Sequence, residues 1–262
     1  GNLDTGMFSD GDGELMFYAN DQEVIRISQT NQKIQTNYPV YLTNGAVVKD
    51  NGNNALAIGY NAGLDGNQQN DAIAIGHNSG VYNQSLGAIA IGKSAGNTMQ
   101  NQHAIAIGAD AGSTGQNFSA VAIGEGAGNL NQSFSAVAVG RWAGEQYQGW
   151  DATAVGRIAG RDHQGDYASA FGWHAGRYYQ GAHAVAIGDA AGDTSQGIYA
   201  IAIGSTAGNS GQGWGAVALG VNAGYQSQGL VAVALGSNAG RYSQHQGAVA
   251  VGRRAGESNQ QD

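Results

Sequence analysis

The stretch Ala88-Ile89-Ala90-Ile91-Gly92-Lys93-Ser94-Ala95-Gly96-Asn97-Thr98-Met99-Gln100-Asn101-Gln102-His103 is one unit of a repeat that fills residues 55–262. Its fifth-position glycine occurs thirteen times, at Gly59, Gly76, Gly92, Gly108, Gly124, Gly140, Gly156, Gly172, Gly188, Gly204, Gly220, Gly236 and Gly252. Every step is 16 residues except the first, which is 17 through one insertion near Leu64 to Asn67. A second Gly follows four residues later, from Gly63 to Gly256. A Gln follows eight residues later in twelve units, and Gln68 is the displaced first member. Both Ala columns of the Ala-x-Ala-x-Gly stretch are unbroken.

Sixteen residues are too few for a helix pair or a propeller blade, but they suit one coil of a β-solenoid. Ala-Ile-Ala-Ile reads as a short strand, closed by a Gly that needs φ > 0 or a close backbone approach. Gly-x-x-Ala-Gly reads as a tight turn. The stretch around Gln reads as a second short strand, returning through a polar corner with Gly149, Gly165, Gly181, Gly197, Gly213 or Gly229. Parallel stacking at about 4.8 Å makes a rod about 60 Å long, along which the Gln side chains form an amide ladder. Two Gly per unit and β-branched runs oppose helix. The fold class expected is all-β: a parallel β-solenoid, or β-roll, of thirteen 16-residue coils preceded by a small N-terminal β region.

The first strand has period two, with Ala104 and Ala106 pointing one way and Ile105 and Ile107 the other. The larger columns hold Ile, Val, Leu or Phe throughout, except at Thr153 and Ser169. Neither face is made for water. Ala fits the interior of a thin roll, and the larger columns then need a partner; the reverse assignment has the same consequence. Each exposed side chain of that stripe forgoes about 1.5–3 kcal/mol of burial. Self-association is therefore expected. Leu86, Phe118, Phe134, Trp150, Ile198, Trp214 and Leu230 form a further bulky column on the second strand and are read as core or interchain packing.

The unit Ala-Ile-Ala-Ile-Gly-x-x-Ala-Gly resembles the head repeat of trimeric autotransporter adhesins of the YadA type, which also occurs in phage and virus tail-fibre proteins. The resemblance runs from Ala55 to about Gln260 and implies a left-handed roll in an intertwined homotrimer. The period of 16 departs from that family's usual 14, and its Asn-Ser lead-in is absent. Residues 1–54 are similar to tail-fibre segments through Asp4-Thr5-Gly6-Met7-Phe8-Ser9, Gly13-Glu14-Leu15-Met16-Phe17 and Glu23-Val24-Ile25-Arg26-Ile27. Val24 to Ile27 and Tyr38 to Val48 read as strands, with turns at Gly11-Asp12-Gly13 and Asn44-Gly45. The expected division is 1–54, an attachment or shaft-capping region that meets other fibre or virion components, and 55–262, the solenoid. The start at Gly1 suggests a piece of something longer.

Composition narrows the function. The 262 residues include 45 Gly, a single Pro (Pro39) and no Cys, with a net charge of −8. One Pro excludes collagen, and the lack of Cys excludes disulfides and thiolate metal sites. Eleven Lys and Arg against that charge argue against nucleic-acid binding. No apolar run reaches 18 residues, so membrane insertion is not expected. The six His do not cluster, and His103 and His183 share a repeat position five coils apart. No phosphate loop, calcium repeat or Ser/His/Asp spacing stands out. No enzyme activity, cofactor or metal is expected.

One region breaks the pattern. In the coils of Gly140, Gly156 and Gly172, turn positions that are elsewhere small or polar become large. The candidate ligand-binding residues are Arg141, Trp142, Tyr147, Arg157, Arg161, Trp173, His174, Arg177, Tyr178 and Tyr179, and His163 is a further large turn residue there. Thr153, Ser169 and Phe171 depart from type in the same strands. Exposed aromatics beside Arg suit sugar rings and acidic glycans, although solvated corners and interchain cation–π contacts would use the same residues. The leading expectation is a viral tail-fibre segment at the virion surface that presents a host-recognition surface for a glycan or receptor. The alternatives are a bacterial surface adhesin head, an ice-binding solenoid and a pure spacer.

Overall fold

The computed structural model describes strands within residues 5–50 and, in full, residues 54–64 and 68–258. The Ala-Ile-Ala-Ile segment of every unit is a strand, and thirteen of these stack in one parallel sheet from Leu56–Ile58 to Val249–Val251. The register is residue on equivalent residue: Ile89 faces Ile105, Ala90 faces Ala106 and Ile91 faces Ile107. The fold is thus an all-β parallel solenoid with a 16-residue period and twelve full turns between the first strand and the last. The Gln-bearing segment supplies the opposite wall. It forms two five-stranded parallel sheets, Tyr82–Gln84 to Gln146–Gln148 and Tyr178–Gln180 to Tyr242–Gln244. Single bridges from Gln146 to Asp162 and from Asp162 to Tyr178 link them through the seventh coil.

The wall-to-wall gap is narrow enough that the interior is filled by Ala and Gln, with Ser79 in the place of one Ala and its hydroxyl donating to Ala90 O. Ala104, Ala106 and Ala111 are fully buried, as are their equivalents along most of the rod. The largest fully buried side chains are the Gln column. Gln116 shows its chemistry: Nε2 donates to the carbonyl of Ile105 at 2.7 Å and also reaches Ala120 O and Gln132 Oε1, each at 3.1 Å. Amide-to-amide links of this kind run from Gln68 to Gln196 and again from Gln212 to Gln228. The expected ladder is present, and it also ties each first strand to the opposite wall.

The fifth-position glycine is fixed by two constraints. Gly92 has φ +130°, and a Cβ there would stand 2.5 Å from the carbonyl oxygen of Gly108 in the next coil. No side chain fits either the angle or the gap.

In the N-terminal region, β1 (Thr5–Ser9), β2 (Glu14–Ala19), β3 (Gln22–Ser28) and β4 (Lys33–Thr36) form an antiparallel meander. β5 (Val40–Leu42) and β6 (Ala46–Asp50) form a hairpin, and β6 pairs antiparallel with β7 (Leu56–Ile58), the first solenoid strand. Val24 to Ile27 lies within β3, and the described residues of the stretch Tyr38 to Val48 fall in β5 and β6. The turns expected at Gly11-Asp12-Gly13 and Asn44-Gly45 lie outside the described residues.

Candidate binding surface

With Ala and Gln inside, the Ile and Val columns face outward. Ile107, Ile123 and Ile187 are each more than a third exposed, and the stripe runs the length of the rod. Of the two orientations open from sequence, the Ala-inward one holds. The neighbouring corner column is also outside: Phe118, Phe134, Trp150, Ile198, Trp214 and Leu230 are exposed, with Trp150 at 53%. Phe118 stacks on Phe134, whose ring meets Trp150 edge-on, so this column packs along the rod and is not core within one chain.

The aromatic and Arg residues of the three irregular coils lie elsewhere, on the turn after the first strand and on the second wall. In-register stacking brings them together: the amide of Ile158 donates to Arg141 O, and that of His174 to Arg157 O. Within this band the groups pair closely. The Arg141 guanidinium lies 4.2 Å from the centre of the Trp142 ring, and that of Arg177 lies 4.5 Å from Tyr178. Trp173 stacks on His174 at 3.9 Å. Tyr147 and Tyr179 sandwich the imidazole of His163 at 4.8 and 5.3 Å.

Two of the four Arg are already matched. Arg161 Nε donates to Glu145 Oε2, and Arg177 Nη2 donates to Asp193 Oδ2 at 2.9 Å. The bond to Glu145 holds the Arg161 guanidinium above its ordinary pKa, against a smaller lowering by burial. Burial pushes the Asp193 carboxyl up, opposed by Arg177. Burial, then the charge of Arg177, pushes the His174 imidazole down. Arg141 and Arg157 are the exposed cations of the band, and neither has a carboxylate within ion-pair reach among the described residues. The band therefore offers two guanidiniums without a carboxylate partner among the described residues beside the exposed side chains of Tyr147, Trp173 and Tyr179. Among the described residues no group of three His, Asp or Glu converges as a metal site.

All ten candidate residues fall on the turn and the second wall of three consecutive coils. Sequence reasoning overlooked Glu145 and Asp193, although opposite charges one period apart (Glu145 and Arg161, Arg177 and Asp193) carry the signal. It also overlooked a second sandwich, in which His183 lies between Tyr167 and Tyr199 at 4.9 and 4.8 Å on the corner preceding the first strand. The chain matches no family model, no curated protein and no solved structure.

Proposed function

We propose that the chain is a non-enzymatic fibre segment that associates with copies of itself through the Ile/Val face. In this reading the Arg141–Tyr179 band is presented to an acidic glycan on a host surface. The observation that carries the proposal is the inverted distribution of side chains. Ala and Gln fill the inside while Ile, Val, Phe and Trp lie outside, the reverse of a chain stabilised alone in water. The two surfaces use different segments of each coil, the first strand for one and the turn and second wall for the other. The YadA-type resemblance makes three the expected number of copies and an extracellular, virion-borne tail fibre the expected setting. The N-terminal strands would then join other fibre components.

Light scattering tests the assembly: the expected particle is a multiple of the 26.7 kDa chain, and a well-dispersed monomer overturns it. Recognition is tested by Trp142→Ala with Trp173→Ala on an array of acidic glycans. Binding is expected to fall at least about tenfold through loss of ring stacking. Unchanged binding by a folded assembly removes the band from the reading.

A further inference from the structure

The two outward columns of the long sheet repeat every coil, so sliding one copy along another by one coil sets Ile or Val on Ile or Val again. Over most of the rod nothing in these columns marks a height. The seventh and eighth coils are different. There the second-position column carries Thr153 and Ser169, paired across the sheet, and the fourth-position column carries Val155 and Phe171. Neither hydroxyl takes part in a hydrogen bond among the described residues, and both residues are partly exposed in the single chain.

From this juxtaposition we infer that Thr153, Ser169 and Phe171 set the axial register in which copies of this chain associate. The inference rests on the self-association proposed above. The occupant it commits to is a second copy of the same chain, aligned coil seven with coil seven and coil eight with coil eight. Three features of the face select that occupant. Neither column carries a charged residue in any coil, so a homotypic contact brings no like charges together despite the net charge of −8. The only polar groups on the two columns are hydroxyls, which both donate and accept and are therefore complementary to themselves. The small Ser169 and the large Phe171 share one strand, so an aligned neighbour can set its ring beside the missing volume.

A slip by one coil undoes the last two. It keeps one Thr153 hydroxyl at the height of a Ser169 hydroxyl but sets the other Thr153 against Val137 and the other Ser169 against Val185, where they find no partner, and it drives the Phe171 ring against a full column. Alignment at one height lets the contact close into a ring, whereas a slipped contact adds a rise along the axis at each copy and stays open at its ends.

The test is a levelled chain, Thr153→Val, Ser169→Val and Phe171→Ile together. Each residue introduced already stands in the same column of other coils, as at Val137, Val185 and Ile187, so folding is preserved. The native chain is expected to sediment as one species. Oxidation of a mixture of Ile107→Cys and Val139→Cys chains, otherwise native, should then join like with like. The two reporters lie two coils, or about 10 Å, apart along the rod. The levelled chain is expected to remain associated but to spread over several masses, with a several-fold rise in the mixed Ile107→Cys/Val139→Cys product. A levelled chain with the native mass and cross-linking pattern overturns the register role while leaving self-association in place. A native chain that sediments as a monomer overturns both.

Discussion

Three positions of the repeat hold the backbone in the left-handed region, and in most coils they carry side chains. In the turn column this suits Asn61, Asn78, Asn222 and Asn238, whose short amides tolerate that conformation. Trp142, Ile158 and His174 occupy the same column at φ 58°, 64° and 57°. For a β-branched residue such as Ile158 the conformation costs about 1–2 kcal/mol. The β-branched Thr206 and Val231 carry the same conformation at φ 54° and 51°, so the strain is shared along the rod and is not confined to the coils where the aromatic and Arg residues gather. Part of it is offset by packing onto the preceding coil: Gly126 leaves the room that the Trp142 ring occupies, since a Cβ there would meet the ring at 2.5 Å.

His174→Asn follows from this strain and from the lowered imidazole pKa. Because the folded state disfavours the imidazolium, it binds fewer protons than the unfolded chain once pH falls below the ordinary value of 6.5. The stability His174 supports is complete above that value and is lost as pH falls towards the lowered one. The Asn variant should melt higher than the parent, and the gap should widen from pH 8 to pH 5. A constant gap in thermal scans removes the titration argument.

Gln116→Leu tests the ladder at the same scale. It leaves the carbonyl of Ile105 without its side-chain donor and Gln100 Nε2 without the Gln116 amide oxygen, which costs about 2–3 kcal/mol in denaturant unfolding. The Gln column was legible in the sequence because an amide at a fixed place in every coil has no use on a variable surface. The left-handed positions were legible only at glycines, because Trp, His and Tyr carry no local sign of that conformation.

At the scale of the element, the two walls differ in how plainly the sequence announces them. The first strand is set by alternation, and the Ala columns fix which face is inside. In the second strand only Gln is constant. Its neighbours vary because the residue before Gln points outward in the left-handed conformation, as at Asn83, Met99 and Tyr147. The break into two five-stranded sheets at Asp162 had no sequence signal, since Gln164 keeps its place in the ladder.

Gly92→Ala probes the junction between strand and turn. The new methyl meets the backbone of Gly108, which has no flexible end to move aside, so the variant should lose about 3 kcal/mol or more of local stability. Solenoid coils touch only their neighbours, so the damage stays near the substitution. Hydrogen exchange is expected to quicken around Ile89 to Gln116 while Val217 to Gln244 keep their protection. Loss of protection along the whole rod contradicts nearest-neighbour coupling.

For the whole molecule, the repeat makes length adjustable in steps of one coil and in no smaller step. The solenoid was legible at this scale because Gly, Ala and Gln return at one period; the outward aromatic stacks were not, because their contacts depend on which coils lie next to each other. Excision of residues 200–215 removes one period and joins Tyr199 to Ala216. It brings the Ala186 strand against the Ala218 strand and places Gln196 beneath Gln228, so every column is preserved. The shortened chain should fold with an unchanged circular-dichroism spectrum, and its rod in small-angle scattering should be shorter by about 5 Å. Excision of residues 200–214 removes one residue fewer and shifts every later column by one place. That shift turns the Ala face outward and Ile and Val into a gap too narrow for them, and it takes Gln228 out of line with Gln196. The coils after the junction should then lose their protection and aggregate. Equal folding by the two deletions would mean that the corner absorbs the extra residue without a change of face, as the 17-residue first step does in pairing Leu56 with Ile73.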